Sequence, residues 1–199
     1  MRPDRFLRLG GHAAMDFVNT RPVLGGEPVE WLGSFDDLAD WTIGAGLLGG
    51  DEDAAAARAL RATRSDRDGA AGRARELREA LREGLEALSR GRPAPAELVR
   101  AVNDALARRV VHDEVAGRGR ALRLVRRFRP ERADDFLTPI AGAVADLLCN
   151  VDPATLRRCG NPACVLWFVD AHGRRRWCSM AVCGNRMKVA AFHRRRREP

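Results

Sequence analysis

Hydrophobic residues return every three to four positions along most of the first 150 residues, the rhythm of helices with one buried face. The clearest case spans residues 70–89, where Leu77, Leu81, Leu85 and Leu88 fall at i, i+4, i+8 and i+11. Residues 96–108 repeat it with Leu98, Val102 and Leu106. Residues 134–149 do so with Leu137, Ile140, Val144, Leu147 and Leu148, next to Cys149, which reads as a small buried hydrophobe. Shorter helices are predicted over 12–20, with Ala13 or Ala14, Phe17 and Val18 on one side, and after a capping box of Ser34 and Asp37 that sends Leu38, Trp41 and Ala45 inward. Gly and Pro at 22–28 end the first of these, residues 29–32 read as a brief extended segment, and Gly46 to Gly50 break the second. The Ala-rich stretch 51–63 opens with acidic residues that suit a helix N-terminus.

The rhythm changes at residues 109–128. Segments 109–115 and 120–128 flank Gly117-Arg118-Gly119, and Leu122, Leu124 and Val125 shift toward alternation, which predicts a β-hairpin. Asp152-Pro153 then starts one short helical turn. No apolar run approaches the roughly 20 residues of a membrane helix, and the N-terminus lacks an apolar signal core. The expectation is a soluble, cytoplasmic chain that has no membrane partner.

Charge divides the 199 residues unevenly. Only Lys188 among the 35 basic residues is lysine, a bias that a GC-rich genome would write, so arginine abundance by itself says little. Its placement says more. Residues 157–199 hold ten Arg and Lys188 against Asp170 and Glu198, a net of +9, while the other 156 residues hold 24 basic and 25 acidic side chains. A basic module attached to a neutral one explains that asymmetry.

The basic segment also carries four of the five cysteines, spaced C-x4-C-x13-C-x4-C: Cys159, Cys164, Cys178 and Cys183. In a reducing compartment such pairs favour metal over disulfides, and four thiolates make the closed tetrahedral site of one structural Zn²⁺. Both pairs carry Cys-Gly-Asn, at residues 159–161 and 183–185, where glycine would let the backbone turn tightly and aim N–H groups at sulfur. Segments 166–169 and 175–177 around Ala171-His172-Gly173 form a hairpin pattern between the pairs, with Trp167, Phe168 and Trp177 as its small core, and the residues after Ser179 are helix-like. His172 lies in the middle of that hairpin, and four cysteines already suffice without it.

Residues 158–197, from Arg-Arg-Cys-Gly-Asn-Pro-Ala-Cys through Cys-Gly-Asn-Arg-Met-Lys to the arginine run, closely resemble the CGNR-type zinc finger. The stretch Met15-Asp16-Phe17-Val18-Asn19-Thr20-Arg21 is similar to the ABATE domain that partners this finger, a domain described as a regulator of transcription induced by stress. The resemblance implies a zinc-binding, DNA-binding C-terminus and a regulatory N-terminus. The implied fold is mostly α (α+β): a helical domain with a β-hairpin over 1–150, and a treble-clef-like zinc module over 151–199. One departure is the short turn at Ala171-His172-Gly173, where a longer polar turn is expected.

On the helix after Cys183, Met187, Val189 and Ala190 or Ala191 can pack inward. Arg186, Lys188, Arg194, Arg195, Arg196 and Arg197 remain for phosphate, and Arg174, Arg175 and Arg176 extend the face. Double-stranded DNA is the expected partner, bound by a homodimer that doubles the contact. The rival is a protein–protein adaptor whose basic module docks an acidic partner. In the N-terminal domain, Asp16, Asn19 and Arg21 are candidates for an unknown small-molecule effector. His12 and Asp16 could share a helical face, but no nucleophile motif or phosphate loop accompanies them, so the chain reads as no enzyme.

Overall fold

The leucine ladder lies in the longest helix of the chain. In the computed structural model, which describes residues 6–48 and 50–196, the helices are α1 (Ala13–Val18), α2 (Phe35–Gly44), α3 (Asp51–Ala59), α4 (Arg64–Leu88), α5 (Ala96–Leu106), α6 (Leu137–Asn150) and α7 (Asn185–Arg195). Thr63 caps α4 by accepting from the Asp66 N–H. Its Leu77, Leu81 and Leu85 are buried, and Leu88 is half-buried. The capping box is also present: Ser34 N–H donates to Asp37 Oδ2 at 2.9 Å and Asp37 N–H to Ser34 Oγ at 3.2 Å. Aromatic rings tie the layers together. Phe17 of α1 packs on Trp41 of α2 at 5.2 Å, and Phe136 meets the edges of Phe35 and Phe128 at 5.0 and 5.3 Å.

Three antiparallel pairs complete the fold: β1 (Val23–Leu24) with β2 (Glu27–Pro28), β3 (Val111–Arg118) with β4 (Ala121–Phe128), and β5 (Leu156–Arg158) with β6 (Trp167–Val169). The first pair corrects the extended segment expected at 29–32. The strands lie earlier because Gly25 and Gly26, at φ +63° and +96°, make the turn inside the Gly/Pro stretch. The predicted hairpin is β3–β4, turned at Gly119-Arg120 because Arg118 pairs with Ala121. Its alternation does not mark a core face: Leu122 and Leu124 are 60% and 70% exposed. Only the base is anchored, where Asp53 of α3 accepts from the Phe128 N–H at 2.8 Å.

Two other apolar positions turn outward. Leu106, at the last turn of α5, is exposed. Cys149 is exposed as well, because Ile140, Val144 and Leu147 define the inward face of α6 and Cys149 lies about 200° around the helix from Leu147.

The C-terminal segment packs directly on the helices. Leu156 and Trp167 belong to the same core as α1, α4 and α6. Val169 N–H donates to Gly10 O at 2.8 Å, and Arg82 of α4 donates to both Val18 O and Val165 O. Among the described residues no helix is long and apolar enough to cross a membrane.

Candidate metal centre and its basic surface

The first cysteine pair sits in the loop joining β5 to β6. Cys159 N–H donates to Leu166 O at 2.9 Å and Cys164 N–H to Asn161 O at 2.9 Å, which folds that loop into a tight knuckle. The second pair sits at the entrance to α7. Ser179 Oγ accepts from Val182 N–H at 3.0 Å and starts a π-helical turn, Met180–Gly184, that carries Cys183. β6 pairs with β5, across the first cysteine pair, and not with residues 175–177. This corrects the hairpin expected between the pairs: the strands bracket the knuckle, and residues 171–179 form turns.

The ligand atoms of Cys159, Cys164, Cys178 and Cys183 lie within 4.8 Å of one another, and all four residues are buried. Tetrahedral zinc with Zn–S bonds of about 2.3 Å requires sulfurs about 3.8 Å apart, so the cluster needs only a slight contraction to hold the ion. Its environment already favours negative sulfur. Cys178 N–H donates to Cys159 Sγ and Asn161 Nδ2 to Cys183 Sγ, each at 3.4 Å. The hydrogen bond from Cys178 pulls the Cys164 thiol down to about 5. The same contact, together with burial, pushes Cys178 up, and burial raises Cys183. Four buried sulfurs this close, with N–H donors on two of them, suit a thiophilic divalent cation.

The two glycines of the repeated Cys-Gly-Asn act through space rather than through unusual backbone angles. A Cβ at Gly160 would lie 3.0 Å from Arg176 O, and one at Gly184 would lie 2.5 Å from Met180 Sδ and 3.1 Å from Trp177. The two asparagines are not equivalent. Asn161 is buried against sulfur, whereas Asn185 is exposed at the start of α7. The charge of Asp170 gives no sign in the sequence of its role in the fold. It is buried and accepts from the N–H groups of Arg174 and Arg175, closing the turn at 171–173. His172 is exposed on that turn.

Around this centre Arg174, Arg176, Arg186 and Lys188 are exposed, and none has an ion-pair partner among the described residues. Arg175 is different. Its guanidinium stacks 4.2 Å from the Phe168 ring centroid and donates to Leu9 O and Cys178 O, which clamps the module to the N-terminal segment. Arg176 stacks on Trp177 at 4.8 Å, and Arg196 on Phe192 at 5.1 Å. Arg194 and Arg195 belong to the last turn of α7, and Arg197 lies outside the described residues. Met187, Ala190 and Ala191 are half-buried as expected, but Val189 points outward with Phe192, 55% and 52% exposed.

The three residues singled out for a small ligand each have a different partner. Asn19 is buried, and its amide is fully engaged with the Trp167 backbone. Asp16 Oδ1 accepts from Gly10 N–H at 2.8 Å, and burial raises its carboxyl above the usual range. Arg21 is exposed, 3.7 Å from Glu79. His12 caps α1 by accepting at Nδ1 from Ala14 N–H, and its Nε2 meets Asp146 Oδ2 at 3.0 Å. A cavity of about 350 Å³ lies elsewhere, between α4, α5 and the start of α6.

Two family models match the chain. The ABATE family, described as "Putative stress-induced transcription regulator", matches residues 11–151. The CGNR zinc finger matches residues 155–196. No curated protein matches the chain. The finger match and the four-cysteine cluster together point to zinc as the metal.

Proposed function

The chain belongs to the ABATE family and ends in a CGNR zinc finger, and from that membership we propose that it is a zinc-dependent, DNA-binding transcriptional regulator. In this reading one Zn²⁺ is structural: four cysteine ligands leave no open position for water or substrate. When bound, the metal crosslinks the β5–β6 knuckle to the turn that starts α7, and the four thiolates leave the centre at about −2. The protein's own residues orient the site. Asn161 and the Cys178 N–H hold two of the sulfurs, while Asp170 shapes the arginine-bearing turn.

The observation that carries the proposal is a set of exposed cations without acidic partners in the segment that holds the four-cysteine cluster. In the helical domain Arg67, Arg78, Arg90, Arg108 and Arg129 are answered by Asp36, Glu30, Glu86, Asp134 and Asp53, while others such as Arg61, Arg92 and Arg123 have no ion-pair partner among the described residues. Arg174, Arg176, Arg186 and Lys188 carry their charge unanswered around α7. The helix is eleven residues long, or about 16 Å, and fits a major groove. Cations without acidic partners are what phosphate recognition draws on, and their counterion release makes binding salt-sensitive. The N-terminal domain then senses a small ligand or mediates assembly. The reading assigns no catalysis to that domain, where His12 and Asp16 serve as a helix cap and a backbone acceptor.

The test is fluorescence anisotropy of a short duplex titrated with zinc-loaded full-length protein at several salt concentrations. Binding whose log K falls steeply with log salt supports the proposal. Absent binding at about 50 mM salt, where phosphate contacts are strong, overturns it. The second reading, an adaptor for an acidic protein, draws on the exposure of Val189 and Phe192 beside the cations. Retention of the protein on an acidic amphipathic peptide with no retention on duplex favours that reading.

A further inference from the structure

The helical hairpin α4–α5 is closed tightly at one end and left open at the other. Near its turn α5 comes so close that a Cβ on Gly84 would lie 2.5 Å from Leu98 Cδ2. Farther along, Ala80, Ala101 and Ala105 face each other with side chains too short to fill the space between the helices. Leu77 and Leu137 form the floor, and the result is the cavity of about 350 Å³. Its volume is at the lower end of small-molecule sites.

Charge at the mouth is asymmetric in a way that composition does not show. Arg73 and Arg108 line the cavity, but both are turned onto Asp134, so their charge is neutralised internally. Glu97 is paired with Arg100. Glu76 and Asp104 have no hydrogen-bond or ion-pair partner among the described residues, and they stand on opposite walls, one on α4 and one on α5. The cavity thus offers an apolar, alanine-walled interior beneath two unanswered carboxylates.

We propose that this cavity is the effector site of the helical domain and that it takes a small amine: a short apolar body seated against Leu77, Ala101 and Leu137, with its ammonium between Glu76 and Asp104. The proposal rests on reading this domain as a ligand sensor, and it moves the site away from Asp16, Asn19 and Arg21. An anion of the same shape is excluded, because the cavity's own arginines are committed to Asp134 and its free charges are negative. α4 also reaches the zinc module through Arg82 on Val165 O and Glu86 on Arg158, so the occupied cavity shares a helix with the basic surface.

The experiment is calorimetry on zinc-loaded full-length protein, without DNA, using 2-phenylethylamine and its isosteric anion 3-phenylpropionate. The amine is expected to bind and the carboxylate not. The double variant Glu76→Gln with Asp104→Asn, both at exposed positions, is expected to lose about tenfold or more in amine affinity through lost charge-assisted hydrogen bonds, with unchanged zinc content. Filling the space with Ala101→Phe is expected to abolish binding. Equal binding of both probes, no binding of the amine at millimolar concentration, or unchanged affinity in the double variant each overturns the proposal. Because no duplex is present, failure here leaves the DNA reading standing, and failure to bind duplex leaves this site standing.

Discussion

Asn19 and Trp167, 148 residues apart, are joined like two strands of a sheet although only one of them is in a strand. The Asn19 side chain donates from Nδ2 to Trp167 O and accepts at Oδ1 from Trp167 N–H, each at 2.8 Å and fully buried. The amide therefore satisfies the free edge of β6 and fastens the zinc module to the end of α1. Replacing Asn19 by Ala strands both backbone groups away from water. A stability loss of about 2–4 kcal/mol is expected from urea unfolding. A loss below about 0.5 kcal/mol would show that water substitutes for the amide.

Asn161 touches the metal centre from outside the ligand set, through Nδ2 on Cys183 Sγ. Asn161→Ala is expected to weaken zinc binding by about 10–100-fold in chelator competition, the usual effect of losing a partner to a ligand. Cys183→Ser removes a ligand and is expected to release the metal and unfold the turn into α7, read by native mass spectrometry and circular dichroism. Stoichiometric metal retained in that variant contradicts the four-cysteine site.

Arg78 is 1% exposed and forks onto Glu30, with both contacts at 2.6 Å, while also donating to Thr20 Oγ1. Burial lifts the Glu30 carboxyl, but the hydrogen bonds and charge of Arg78 outweigh it, and the net shift is below the ordinary 4.5. The folded state thus binds fewer protons than the unfolded state. The stabilisation is present above pH 4.5 and is lost as pH falls through the lower folded value. Glu30→Gln is expected to cost about 2–4 kcal/mol at pH 7 and progressively less below pH 4.5. A wild-type minus variant difference that stays flat from pH 3 to 7 would exclude the linkage.

Arg186 and Lys188 are the cations nearest the start of α7. If each neutralises one phosphate, removing both lowers the slope of log K against log salt by about 2 and weakens binding similarly across sequences. An unchanged slope in the double alanine variant would place the duplex on another surface.

The hairpin residues offer a contrast in stability. Leu124 is 70% exposed and Leu81 is fully buried. Leu124→Ser is expected to change stability by less than about 0.5 kcal/mol, and Leu81→Ala to cost about 2–5 kcal/mol. Similar losses in the two would mean that the hairpin face is covered in solution.

Features carried by neighbours in sequence were legible before the fold was known. The Ser34–Asp37 box, the 3.6-residue ladder of α4, the Asp152 cap and the cysteine spacing each depend on groups a few residues apart, so local chemistry determines them. The charge asymmetry was legible too. The fold adds that Arg174, Arg176, Arg186 and Lys188 have no ion-pair partner among the described residues, whereas Arg158 pairs with Glu86.

What only the tertiary structure decided depends on which distant surfaces meet. Period-2 alternation identified β4 but not whether anything covers it, and among the described residues nothing covers Leu122 and Leu124. Helical composition put Cys149 on an apolar helix, but the packing of Ile140, Val144 and Leu147 turned it outward. Residues 166–169 looked like half of a hairpin with the strand to follow, yet β6 pairs backward with β5 because that brackets the first cysteine pair. Asp16, Asn19 and Arg21, adjacent in sequence, separated into a backbone acceptor, an interdomain clasp and an exposed ion pair. A polar side chain's role is set by the partner that satisfies it, and when that partner lies 148 residues away no local pattern names it.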